Sequence, residues 1–573
     1  MASQDVDDVD LAFPKESGDL IQANGEASAP ERSEEQLATS RTVGVVEIRN
    51  PELLRTIPVP EEIGDPVCAI EKASAAERSE EQLATARIVG VVSGMELRNP
   101  ELLRAVPAWV VLRQLGQVLR DTSSDPAKLY SLSEQVPFIK EFWSHSWHGN
   151  RFMKIWLLLI LKNGCPAVFV GGLVSFLAAF LSYLDILPGW YKVPRIQGPG
   201  YSGEFRHSPW GLVSGLVAAF VTLLLWRSGD PVFLDRVCIH QGNEVLKAQA
   251  ILQLGALLKG SRTLVVVWDP TYLSRLWCVF ELAAFFHSHK ADGRSKLVIK
   301  HVALAPFVCF MVMQTSILMI MEISLPTSDL FILLRAVYVC GVTVLFSHFL
   351  LKFWHDVAVA EQQFRRFSWH AVTCACCAAN HRAANGTRIP CDRAILEKCV
   401  VQWFGSVEAL EACVRNEICD AFVAQVSGGF PFGYFWLLVG NFGVWYGHAD
   451  FFAARMHGGA HGYAASLLVT TVAWWLWVVP TNHLIFSRVA RWMQRKQQEK
   501  LSAPVLCAVK CTGYFANILN SGIAFLYQSW CYAVLLDPVL GGIAFAGTAL
   551  LCAALSYRRL AARDEFSTTN VGS

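Results

Sequence analysis

Charge is what this chain has least of. Only 17% of its 573 residues are Asp, Glu, Lys or Arg, against roughly 25% in an ordinary soluble domain. The formal net charge is +1 and the isoelectric point lies near 7.5, which gives no electrostatic footing for nucleic acid. The start, "MASQDVDDVD", is acidic and lacks an apolar run, so no cleaved secretory signal is expected. Seventeen cysteines follow no framework spacing. A chain this long needs no disulfide staples, and they read as reduced or membrane-embedded. The surplus is apolar: 53% hydrophobic residues, 19 tryptophans and a positive mean hydropathy. These describe a membrane protein with soluble segments.

A spanning helix needs about 20 mainly apolar residues. Eight stretches meet or approach that length: Cys165–Leu184, Pro209–Trp226, Ala303–Ile323, Leu330–Leu351, Pro431–Tyr446, Tyr463–Phe486, Thr512–Leu535 and Pro538–Ser556. The fifth is short and glycine-rich. Asp537–Pro538 suits a tight turn between the last two. Basic residues accumulate on one side: six in Arg488–Lys510, and Arg558 and Arg559 open the tail. The opposite loops hold none in Leu325–Asp329, one (Arg455) in Gly447–Gly462, and three (Lys192, Arg195, Arg206) in Asp185–Ser208. By the positive-inside rule both termini are expected in the cytosol. Glu322 and Arg335 are the clearest charges within the spans. They read either as pathway lining or as side chains snorkelling near span ends. Gly211 and Gly215 form a GxxxG packing face.

Residues 1–105 are polar and are expected to form a disordered arm, since they offer too little apolar surface to offset ordering entropy. They hold a tandem repeat, 27–58 and 73–107, the second copy gaining Ser93, Gly94 and Met95. The repeat reads as a docking segment or as a plain duplication. Two copies are too few for a solenoid. Residues 106–134 read as a helical linker, with a short helix near Glu101–Arg120.

Strand and helix patterns then alternate, interrupted by the first two spans. "VPFIKEFWSHSWHG" ends in a strand and "NRFMKIWLLLILKN" has helical period. "DPVFLDRVCIHQ" is a strand closing on Asp235, "NEVLKAQAILQLGALLKGS" is helical, and "RTLVVVWDP" is a buried strand. "TYLSRLWCVFELAAFF" is a helix and "SKLVIKHVAL" a last strand. Such alternation predicts a parallel α/β sheet with its ligand crevice at the strand ends.

This order resembles the TIR domain. "FWSHSW" (Phe142–Trp147) looks like the family's first strand and loop, and "VFLD" (Val232–Asp235) like its second strand. "LVVVWDPTYLSRLWCVFEL" (Leu264–Leu282) is similar to the third strand and the W-C-x-x-E-L helix start. Trp277, Cys278, Glu281 and Leu282 match that motif, while Ser274 sits one place early. "LDRVCIHQ" also resembles the heterokaryon-incompatibility domain. The resemblance covers roughly 135–165 and 228–305, about a fifth of the chain. It implies a first half at 135–164, a transmembrane hairpin at 165–226 in place of a family loop, and a second half at 227–302.

In TIR domains that cleave NAD+, the glutamate of this motif is catalytic, so the resemblance implies that Glu281 stabilises an oxocarbenium-like transition state, with no metal and no cofactor. His145, His148, Asp235 and Trp277 are candidates to line the same crevice. The plainer reading keeps Trp277, Val279, Phe280 and Phe285 as a core face, Cys278 as a small buried hydrophobe and Glu281 as a carboxylate favouring the helix dipole.

Spans three and four (303–351) lead to a cytosolic helical segment, 352–430, and spans five to eight (431–556) to a cytosolic tail, 557–573. The segment holds Cys374, Cys376, Cys377, His381 and Cys391. These ligand types suit zinc, but no standard C-x2-C pair is present and neighbouring cysteines make a poor tetrahedral set. Unmodified thiols are expected, palmitoylation being the other reading, and no metal site is assigned. The sequon Asn385-Gly386-Thr387 falls on the cytosolic side, where it stays bare. The whole reads as an α-helical multi-pass membrane protein of about eight spans with a cytosolic TIR-like α/β domain. It is expected to act in signalling or interaction, with a homo-oligomer through that domain. NAD+ hydrolysis by Glu281, and transport through the spans, are the alternatives.

Overall fold

A computed structural model describes residues 83, 86–120, 125–147, 149–193, 205–290, 293–325, 328–382, 391–427, 432–499 and 501–569. The chain divides into two units, 1–44 and 45–573, and all described residues belong to the second. The first repeat copy, His148 and the sequon lie outside the described residues.

One six-stranded sheet organises the non-membrane part. Its strands are β1 (Arg104–Pro107), β2 (Glu134–Gln135), β3 (Ile139–His145), β6 (Pro231–Phe233), β7 (Ser261–Trp268) and β8 (Leu297–His301), in the order β2-β1-β6-β3-β7-β8. β6, β3, β7 and β8 run parallel. In chain order that core reads 2-1-3-4, a common doubly wound arrangement whose switch point lies between β3 and β7. The β7 run Leu264–Trp268 is buried on both faces, as the continuous branched-apolar sequence "LVVVW" demands. β1 and β2 join antiparallel, so the sheet is mixed rather than all-parallel.

That edge corrects the last part of the expected disordered arm, residues 86–105, and the linker after it, while the rest of the arm, apart from residue 83, lies outside the described residues. Residues 86–94 are helical, and Ile88, Val92 and Met95 are buried. Trp403 Nε1 donates to Ser93 O at 2.8 Å, and the backbone N–H groups of Arg98 and Asn99 donate to Gln253 Oε1 at 3.0 Å. The end of the second repeat becomes β1, with Ala105 and Val106 buried. The expected Glu101–Arg120 helix gives way to a short turn, Pro100–Leu102, then β1, then a helix at Ala108–Arg120 interrupted by left-handed Gln114, Leu115 and Gly116.

Among the described residues, five helices are long and apolar enough to cross a membrane: α1 (Arg151–Tyr183), α4 (Leu304–Ser324), α5 (Asp329–Arg365), α8 (His461–Gln498) and the Pro538–Arg558 part of α10 (Pro538–Thr569). With the small mixed sheet, this is the build of a helical membrane protein. α2 (Trp210–Leu225) is apolar but shorter. So is α3 (Leu276–Ser288), which packs on the sheet domain rather than in the bundle. The two-stranded ribbon β4 (Tyr191–Val193) and β5 (Phe205–His207) closes the α1–α2 hairpin.

α1 merges two elements that the sequence separates. It leaves the sheet domain and continues unbroken through the first span, 33 residues in all, with Pro166 inside. Gly215 of α2 faces Gly171 and Ser175 of α1, so the GxxxG glycine does permit a close helix approach. The expected fifth span is two helices, α6 (Tyr434–Gly440) and α7 (Gly443–His457), broken at Asn441–Phe442. Its glycines serve packing: Gly440, Gly443 and Gly447 press on Met311, Thr315 and Met319 of α4. Asp450 of α7 caps α2 from outside, accepting from the N–H of Gly211 at 2.7 Å and of Leu212 at 2.8 Å. α9 (Ala503–Leu535) packs beside α5 and α8, with Asn517 donating to Ser347 Oγ at 2.8 Å.

Candidate functional site

The carboxyl ends of β3 and β7 meet where a doubly wound sheet opens its ligand crevice. β3 delivers Ser144 and His145, with Ser146 and Trp147 just beyond, and β7 delivers Asp269. Glu281 comes from α3, the helix that follows β7.

Glu281 is half-buried and already engaged. Ser144 Oγ donates to its Oε2 at 2.5 Å, and Tyr272 OH stands 2.6 Å from the same hydroxyl. Burial pushes the Glu281 carboxyl up to about 8; the Ser144 hydrogen bond opposes that, and the negative charge of Asp235 adds to it. Burial likewise raises the Tyr272 phenol and the Cys278 thiol well above their ordinary ranges.

His145 and Asp235 are brought to the same crevice through Trp147. The imidazole meets the Trp147 ring edge-on at 4.3 Å, and Trp147 Nε1 donates to Asp235 Oδ2 at 3.1 Å. Burial holds His145 below the usual imidazole range, Asp235 pulling the other way. Trp277 does not join them. Its indole N–H donates to Asp392 Oδ2 at 3.4 Å and its ring meets Phe280, which places it among the packing side chains on the flank of α3.

The crevice floor holds a buried ion pair that sequence reasoning missed. Lys154 Nζ of α1 lies 2.7 Å from Asp269 Oδ2, both side chains almost fully enclosed, and also donates to Ser146 O. Asp269 Oδ1 accepts from Thr271 N at 2.9 Å and from Thr271 Oγ1. Gly149 lies so close that a Cβ there would meet Asp269 Oδ2 at 2.0 Å. Beside this pair, the space left among Trp143, His145, Trp147 and Leu158 is about 20 Å³, room for one water, and Glu281 does not line it. The only trace of this pair in the sequence is an acid placed directly after a buried strand; nothing local ties it to Lys154.

Two further features stand outside the crevice. A cavity of about 430 Å³ lies within the helix bundle, its lining including Gln314, Glu322, His448, Arg455, Asn482 and Gln528. Arg335, read as pathway lining or as a side chain near a span end, pairs with Glu322 at 3.5 Å and donates to Leu325 O at 3.2 Å, while Glu322 lines the cavity. The cysteines of the 352–430 segment converge: single ligand atoms of Cys376, Cys377, His381 and Cys391 all lie within 4.8 Å of one another.

No family model, curated protein or solved structure matches the chain.

Proposed function

We propose that the chain is an integral membrane signalling protein whose α/β domain is TIR-like and works in the cytosol by association, a second copy of the chain being its first partner. The doubly wound strand order and the W-C-x-x-E-L residues at the start of α3 support the TIR-like reading. The observation that carries association over turnover is the crevice. There Ser144, itself 2.6 Å from Tyr272 OH, already engages the Glu281 carboxyl, so the protein's own side chains occupy the group that a substrate would need.

Eight crossings with both termini cytosolic are supported by which loops meet. Asp185 and Arg206 of the α1–α2 hairpin pair with each other, and His457 at the end of α7 reaches Tyr183 O, all at the end away from the sheet. Gln425 contacts β8 at the sheet end, where its side chain bonds both Leu297 and Ile299. The test is NAD+ turnover by the purified full chain in detergent, beside Glu281→Ala. No nicotinamide release from either protein is expected. Release that disappears in Glu281→Ala would overturn association in favour of hydrolysis.

A second reading is favoured by the bundle cavity. A close-packed bundle suits an anchor, whereas a cavity of about 430 Å³, its walls mainly apolar with a few polar groups such as Gln314, Asn482 and Gln528, suits binding or passage of a small solute. Flux in proteoliposomes that falls in Asn482→Leu and Gln528→Leu would favour transport. Its absence would leave the cavity as a binding pocket within a signalling bundle.

A further inference from the structure

We propose that Cys376, Cys377, His381 and Cys391 form a structural zinc site that braces the start of the helix carrying Glu281. Three cysteines and one histidine are a standard closed set for zinc, and here one ligand atom from each comes within 4.8 Å of all the others. The spacing agrees with the metal's size. Two thiolates each about 2.3 Å from a tetrahedral zinc stand about 3.8 Å apart, and Cys377 Sγ lies 3.7 Å from Cys391 Sγ. That is far outside a disulfide of about 2.05 Å, and both cysteines are free.

The backbone is arranged to bring the ligands in. After the short turn Ala375–Ala378, Asn380 and His381 both take left-handed backbone conformations, with φ of 52° and 53°. Neither is glycine, but asparagine and histidine are among the side chains that take this conformation most readily, so the turn is one these residues accept. It folds His381 back so that its N–H donates to Cys376 O at 2.8 Å. His381 Nε2 is enclosed and has no hydrogen-bond partner among the described residues, a costly state for a buried polar atom unless it has a ligand to meet. Cys376 Sγ receives the Asp392 backbone N–H at 3.2 Å, the outer contact that steadies a metal-bound thiolate. Adjacent cysteines look unsuitable in sequence, but the fourth ligand returns from 14 residues beyond Cys377.

The site's place in the fold gives it a task. Thr373 N donates to Ser274 O at 2.8 Å, and Leu276 N donates to Thr373 O at 3.2 Å, stitching the segment before the cysteines to the start of α3. Asp392, next to the last ligand, holds the Trp277 indole. A zinc ion here fixes two strands of chain that together clamp α3 at its first turn.

The experiment is zinc content by atomic emission on the full chain purified in detergent without chelator. About one zinc per chain is expected, falling to background in Cys391→Ser and His381→Ala and retained in Cys507→Ser, which alters an exposed cysteine on α9. Because those variants could misfold, the wild-type protein is also alkylated with and without chelator and mapped by mass spectrometry. Chelation is expected to expose Cys376, Cys377 and Cys391 to the reagent. Absence of zinc with alkylation unchanged by chelator, or a Cys377–Cys391 disulfide in the map, would overturn the proposal.

Discussion

Tyr434 donates its hydroxyl to Leu476 O at 2.6 Å, and Leu476 is the residue four places before Pro480. Proline has no N–H to give that carbonyl, and α8 passes the point as a π-helical turn, Trp474–Val478. The tyrosine from α6 thus supplies a partner that the helix itself lacks. Tyr434→Phe is expected to cost about 1–2 kcal/mol, the range for stranding a part-buried carbonyl. The cost should shrink in a Pro480→Ala background, where the N–H is restored. Thermal unfolding midpoints in detergent for the four proteins of this cycle provide the measurement.

Lys154→Met or Asp269→Asn alone is expected to destabilise the chain by about 3–5 kcal/mol, because each disrupts a buried charge pair by removing one partner. The double variant should recover most of that loss, since the substituted amide keeps an oxygen for Thr271 and no buried charge remains. Gly149→Ala belongs to the same series: its Cβ would displace the Asp269 carboxylate, and its loss should match that of the single variants. Tryptophan fluorescence during urea unfolding gives all four values.

Stability should also depend on pH through Glu281. Its carboxyl is raised from an ordinary 4.5 to about 8 in the fold, so the folded chain keeps a proton that the unfolded chain releases. The stabilising contribution is complete below about pH 4.5 and is lost as pH rises through about 8. Between those values stability is expected to fall by an amount on the order of a few kcal/mol. Glu281→Gln, which cannot ionise, should reduce that slope by Glu281's share, leaving the part due to other buried groups such as Asp392, which burial raises to about 7. Unfolding midpoints at pH 5, 6.5 and 8, each about 1.5 units apart, compare the two proteins.

Removal of residues 1–107 takes away β1 and the packed helix at 86–94. That truncation exposes the β6 edge and the Trp403 surface that Ser93 covers. It should therefore aggregate on size-exclusion chromatography, while the full chain elutes as a single species.

The parallel strands and α3 are legible in the sequence because their patterns are local: a buried branched run such as Leu264–Val267 has few alternatives to a central strand. What is not legible depends on partners far away along the chain. The second repeat looks too polar to fold because most of its burial is supplied by residues such as Gln253 and Trp403, more than 150 positions away. The ion pair joins α1 to the end of β7 across the sheet, and no spacing announces it. Glu281, Asp235 and His145 are drawn to one crevice by the order of strand ends. Trp277 escapes that logic because matching a motif fixes a position on a helix, not the direction of its side chain.

The unbroken run of α1 from Arg151 to Tyr183 makes the first crossing a continuous rod. Its first turns are keyed to the end of β7 by Lys154, and Asn163 farther along bonds Leu223 O at the end of α2. With about 1.5 Å of rise per residue, one helix thus joins the sheet domain to the far end of the α1–α2 hairpin. Pro166, which cannot donate to the carbonyl four residues before it, is the one proline along this run and sets where the rod can bend between the sheet end and the far end.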